Sequence, residues 1–332
     1  MSFKRLELDD FVVSADSITA GLWTDSSTPT LTAFYTSSTQ EANSTGNYYL
    51  NVYSDITTSS LEFAVTYGNK QGSGSVPYDT AVDGKTYTST IYGQYRSLVL
   101  GDENSSFIFG GVTSSDFWAI SVDRTRYKES LFPGSLTLAI SGSGGNLYLT
   151  DNSQTVSTVS FNDAGRVFQL VSGSAGTVVD LYSNGGYSEA SGSYGWFLPD
   201  IATILLNPLA VSASAGVTPS RTSGSDGGND SRLFRAIASG SEFTLNSQET
   251  ITSDYVFVRP RSSEFNYSEN PSYISGSTGE VLYSSFINNP ISYITTVGLY
   301  NDTNELLAVA KLSKPLQKDF TKEALIRVKL DF

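Results

Sequence analysis

Histidine and cysteine are both missing from the 332 residues. The first absence removes the side chain whose unperturbed pKa lies nearest neutrality, and with it every Ser-His-Asp or Cys-His arrangement. The second removes thiol nucleophiles and disulfide staples, and together they leave no nitrogen or sulfur ligands for an ordinary zinc site. Catalysis would have to come from paired carboxylates, lysine or tyrosine. Charge is scarce too: 16% of residues are charged, with a balance of −13. Such a chain lacks the positive field that nucleic acid or an anionic membrane requires of a partner. No run reaches the roughly 18 apolar residues of a membrane-spanning helix. The opening Met-Ser-Phe-Lys-Arg-Leu-Glu-Leu-Asp-Asp carries no apolar signal core. These absences predict a protein folded in a cytoplasm, not an enzyme, with no cofactor, no nucleic acid and no membrane among its partners. Its work would be done by presenting surface.

What is plentiful points to strands. The chain holds 20 Tyr, 18 Phe and 29 Gly, and Ser, Thr and Asn fill much of the rest. Aromatic and β-branched residues suit a pleated surface, while Gly, Asn, Asp and Ser supply turns. The expected fold is all-β, with antiparallel sandwich-like domains, short hairpins and few helices. Glu62-Phe63-Ala64-Val65-Thr66-Tyr67 places Phe63, Val65 and Tyr67 on one face. Ser135-Leu136-Thr137-Leu138-Ala139-Ile140 and Asn146-Leu147-Tyr148-Leu149-Thr150 flank a glycine loop, as a hairpin would. Residues 90–100 read as a short helix or an exposed loop, because Tyr92, Tyr95 and Val99 recur at three- and four-residue spacing. Residues 199–208, bracketed by prolines, read as a strand in preference to one helical turn.

A stretch rich in Ser, Gly and Asp marks a joint. The expected organisation is an N-terminal β-rich region at 1–211, one domain or two, then a linker or long loop at 212–232 and a C-terminal β-module at 233–332. In that module Ile294-Thr295-Thr296-Val297-Gly298-Leu299-Tyr300, the turn Asn301-Asp302-Thr303-Asn304, and Glu305-Leu306-Leu307-Ala308-Val309-Ala310-Lys311-Leu312 form the most secure hairpin of the chain. A final alternating run puts Ala324, Ile326, Val328, Leu330 and Phe332 on one face.

The hairpin sequence, continuing through Ser313-Lys314-Pro315, resembles a strand–turn–strand module of tailed-phage baseplate and fibre-collar proteins. Ile91-Tyr92-Gly93-Gln94-Tyr95-Arg96, Phe109-Gly110-Gly111-Val112 and Arg126-Tyr127-Lys128-Glu129-Ser130-Leu131-Phe132-Pro133-Gly134 are similar to virion structural proteins of T4-like marine phages. The resemblance implies a structural component of the virion, assembled in the bacterial host cytoplasm in several copies. Its place would be in the tail, baseplate, neck or fibre-attachment region. The implied partners are other copies of the chain and other phage structural proteins. That family has no defined catalytic residues, so the resemblance carries none over.

The candidate subunit-interface residues are Ile294, Val297, Leu299, Leu307, Val309, Lys311 and Lys314 on the hairpin, with Ile326, Arg327, Val328, Lys329, Leu330 and Phe332 on the final strand. That strand could extend a neighbour's sheet, or pair at home beside the hairpin. Residues 311–332 hold six basic and three acidic side chains. They could meet the acidic body of another copy, or simply keep a strand edge solvated. Alternative readings are capsid decoration and host-glycan binding or cleavage. For the glycan reading, Trp23, Trp118 and Trp196 would form a stacking platform, set against plain core packing. Asp102, Glu103, Asp116, Asp123, Asp163, Asp200 and Glu264 would supply its carboxylates, set against turn and cap roles. Asp226-Gly227-Gly228-Asn229-Asp230 is acidic enough to suggest calcium but lacks the spacing of a calcium loop.

Overall fold

Strand-forming side chains dominate, and the architecture follows them. The computed structural model describes residues 3–36, 49–56, 60–78, 85–268 and 270–331. Among these, the strands of the first half are β1 (Phe11–Gly21), β2 (Thr30–Leu31), β3 (Tyr35–Thr36), β4 (Leu50–Tyr53), β5 (Leu61–Asn69), β6 (Phe107–Phe109), β7 (Val112–Ser114), β8 (Asp116–Val122), β9 (Ser130–Leu131), β10 (Thr137–Gly142) and β11 (Gly145–Asp151). There follow β12 (Ser160–Asn162), β13 (Gly165–Ser174), β14 (Thr177–Val178), β15 (Gly195–Leu198), β16 (Thr203–Leu206), β17 (Phe243–Thr244), β18 (Asn246–Val258), β19 (Ser292–Tyr300), β20 (Leu306–Lys318) and β21 (Ile326–Asp331). The helices are short: α1 (Trp23–Ser26), α2 (Tyr87–Leu100), α3 (Pro208–Ala215), α4 (Asn229–Gly240) and α5 (Ser284–Asn288).

The chain forms two units, a larger one of residues 17–249 and a smaller one built from both chain ends, up to Asp16 and from Thr250. The larger unit is organised by one curled antiparallel sheet in the order β2-β17-β10-β11-β13-β15-β16-β8-β5-β4-β3. Both of its faces are covered, which is why its central strands read as near-continuous apolar runs. Phe63, Val65 and Tyr67 of β5, Trp118 and Ile120 of β8, and Ile204 and Leu206 of β16 line one core, which α3 and α4 complete with Val211, Leu233 and Ile237. The alternate residues Phe117, Ala119 and Leu205 enter a second core, with Ile91, Tyr92, Tyr95 and Val99 of α2 and the rings of Phe107 and Phe109. The three- and four-residue spacing in 90–100 is thus a helix. Its N-cap Thr86 accepts from Ser89 N, and Gly101 ends it at φ 62°.

The expected joint at 212–232 lies inside the larger unit. Ser220 N donates to Asn229 Oδ1 at 2.7 Å, and Asn229 Nδ2 returns a bond to Ser220 O at 2.9 Å. Gly74 N donates to Thr222 O, Gly227 N donates to Gly74 O, and the Arg221 guanidinium grips Asp116 at 2.7 Å. A linker-like composition here serves tight turns pinned to the sheet. Residues 233–249, expected in the C-terminal module, also belong to the larger unit: α4 buries Leu233, Ala236 and Ile237. Residues 199–208 divide between a 3-10 turn, Pro199–Ile201, and β16. Pro208 then opens α3, with the Asn207 side chain accepting from Leu209 N.

The smaller unit takes β21 with the parts of β1 up to Asp16 and of β18 from Thr250, and β18 lies between the other two. The final strand runs antiparallel to it from Ser253↔Asp331 to Val258↔Ile326. It therefore pairs at home, though not beside the hairpin, since β19 and β20 form a sheet of their own.

Candidate interaction surface in the smaller unit

The hairpin begins with its turn. Asn301 Oδ1 accepts from Thr303 N at 3.1 Å and Glu305 N at 2.8 Å, and Asn301 Nδ2 donates to Glu305 Oε2 at 2.8 Å. Asn304 takes φ 62°, a left-handed conformation that Asn tolerates. From this turn the register runs Tyr300↔Leu306, Leu299↔Ala308, Gly298↔Val309, Val297↔Ala310 and Thr296↔Lys311. Gly298 leaves room for its neighbours: a Cβ there would lie 2.9 Å from the Tyr300 ring and 3.3 Å from Leu306 Cδ1. The Phe3 ring meets Tyr300 edge-on, centroids 5.2 Å apart. Beyond Thr296 the pairing jumps to Ile294↔Leu316, so residues 312–315 of β20 bulge around Pro315, which has no N–H to give.

Much of this ribbon is apolar and open. Tyr293 is 60% exposed, Leu307 68% and Val309 57%. A two-stranded hairpin is marginal in water by itself, so such a surface suits a partner. Of the predicted interface residues, Leu307, Val309, Lys311 and Lys314 are exposed, while Ile294, Val297 and Leu299 are half-buried.

The final strand divides by face. Ile326, Val328 and Leu330 share one face, with Val328 opposite Val256 and both buried. Val328 packs within the unit, while Ile326 and Leu330 are half-buried. On the other face Arg327 lies over the Tyr255 ring at 5.3 Å, and Lys329 pairs with Asp331 at 2.8 Å. The hydrogen-bonded ion pair raises the Lys329 ammonium above its ordinary pKa and lowers the Asp331 carboxyl, which Ser253 also bonds. Phe332 lies outside the described residues.

The basic run of residues 311–332 is less of a patch than its composition suggests. Lys318 is fully buried, its ammonium donating to Ser262 O, Asn266 Oδ1 and Asp319 O at 2.9 to 3.0 Å. Lys322 pairs with Asp319 at 3.6 Å. Lys311 and Lys314 stand exposed on β20.

Most of the other sequence candidates are in structural roles. Trp23 and Trp118 are wholly buried, with indole N–H groups on Phe243 O and Asn229 O, and Trp196 packs edge-on to Phe107 and Phe109. They make no platform. Asp200 is held by Arg166 at 2.6 Å, Asp116 by Arg221, and Glu264 by Lys4 at 2.8 Å. Asp123 caps a 3-10 turn, and Asp102 caps another turn through Asn104 N. In the 226–230 segment Asp226 accepts from Gly228 N and Asp230 from Ser231 N. Among the described residues no group of three or more acidic side chains is placed to hold a metal ion. Sequence reasoning missed the cradle around Lys318 and the Tyr67–Asp116–Arg221 cluster, since their members are far apart in the chain. No family model, curated protein or solved structure matches this chain.

Proposed function

We propose that this chain is a non-enzymatic structural component of a tailed-phage virion, present in several copies in the tail, baseplate, neck or fibre-attachment region. Its partners are further copies of itself and other phage structural proteins, and it acts by adhesion between folded sheets. The observation that supports this most is the β19–β20 ribbon, whose apolar side chains stand open on a two-stranded sheet. The sequence of that same ribbon carries the resemblance to baseplate and collar modules. Burial of Trp23 and Trp118 leaves the glycan alternative without its three-tryptophan platform. Mass spectrometry of purified phage particles tests the proposal. The chain is expected among the structural proteins at a fixed stoichiometry, and its absence from particles ends this reading.

A further inference from the structure

The two outer edges of the ribbon differ in how they are defended. Natural sheets keep exposed edges apart with lysines, prolines and bulges. The β20 edge has all three, in Lys311, Lys314, Pro315 and the bulge at residues 312–315. β19, Ser292–Tyr300, contains no charged residue and no proline, and among the described residues it pairs with β20 alone. Its main-chain groups on the outer side form an undefended template nine residues long.

From this asymmetry we infer that β19 is a homotypic edge, pairing antiparallel with β19 of a second copy about a twofold axis to give a four-stranded sheet. The inference rests on the adhesion reading above and names the partner and the strand. The strand is self-complementary when centred on Thr296: Tyr293 then faces Leu299, Thr295 faces Val297, and Thr296 faces its own counterpart. Aromatic–aliphatic and β-branched pairs of this kind stabilise sheets, and no like charges are brought opposite one another. Charge also favours meeting at this end. The smaller unit holds 10 basic and 13 acidic residues, a balance of −3, whereas the larger holds 10 and 20, a balance of −10.

The test uses the full chain in sedimentation equilibrium at up to about 100 µM, enough to fill a micromolar dimer. Wild type is expected to dimerise. Thr296→Lys and Thr296→Glu, each placing like charges face to face at the axis, should each weaken the dimer by about tenfold or more. An equimolar mixture should associate again, because lysine then faces glutamate. A monomeric wild type overturns the inference, as does a dimer indifferent to both substitutions or a mixture that fails to recover. None of these outcomes touches virion membership, which particle mass spectrometry decides separately. Should a variant lose the wild-type circular dichroism spectrum, hydrogen exchange on wild type reads the same edge. Its β19 amides must gain protection with protein concentration, and concentration-independent exchange refutes the pairing.

Discussion

At the residue scale, buried polar groups show how the larger unit closes on itself. Tyr67 Oη donates to Asp116 Oδ2 at 2.6 Å, and Arg221 grips the same carboxylate from the 212–232 segment. Burial first, and the neighbouring carboxylate second, hold the Tyr67 phenol far above its usual pKa. Tyr67→Phe removes one hydrogen bond to a charged acceptor and little volume, so urea denaturation should show a loss of about 1.5–3 kcal/mol. Asp151 offers a pH test. It is fully buried and accepts from Gly134 N and Ser153 N, yet burial raises its carboxyl above the ordinary 3.8. The folded chain therefore holds this proton more tightly than the unfolded one. Its contribution to stability is greatest below the unfolded pKa and declines as pH rises through the folded value. Asp151→Asn abolishes that slope. As pH rises above the ordinary carboxylate pKa of about 3.9, wild type should lose stability relative to the variant in urea midpoints.

At the scale of elements, alternation and turn chemistry carry most of the weight. The hairpin of 294–312 was legible because its period of two and its Asn-Asp-Thr-Asn turn agree locally. Asn301→Ala leaves the Thr303 and Glu305 amides without their acceptor. The β19 and β20 amides should then exchange faster, by the equivalent of about 1 kcal/mol, while those of β5 and β8 stay unchanged. Helices are less legible. The spacing that forms α2 fits a helix or a loop, since periodicity does not say whether a face finds a core. Leu233, Ala236 and Ile237 of α4 have helical spacing, but the Ser/Gly/Asp run before them resembles a linker. The alternation of Ile326, Val328 and Leu330 was plain, but whether that face met a neighbour or its own unit was not. Pairing with β18 buries Val328 against Val256 and leaves Ile326 and Leu330 half-buried.

At the scale of the whole molecule, the two units can be followed separately, because Trp23, Trp118 and Trp196 all lie in the larger one. Lys318 anchors the smaller. Lys318→Met keeps the apolar stem but strands three acceptors, costing about 2–4 kcal/mol. Far-UV circular dichroism should show an earlier transition, with the tryptophan fluorescence midpoint unmoved. A coincident shift of both signals would show that the units unfold together.

By itself the sequence determined the all-β class, the turn of the terminal hairpin and the lack of histidine and cysteine chemistry, because these depend on composition and on neighbours within a few residues. Tertiary structure alone decided the sheet order, the inclusion of 212–249 in the larger unit, the interior place of Lys318 and which strand edge was left unpaired. Each of those depends on contacts between residues dozens to hundreds of positions apart. Local periodicity can show that a strand has an apolar face or an open edge, but only the closed fold selects what lies against it.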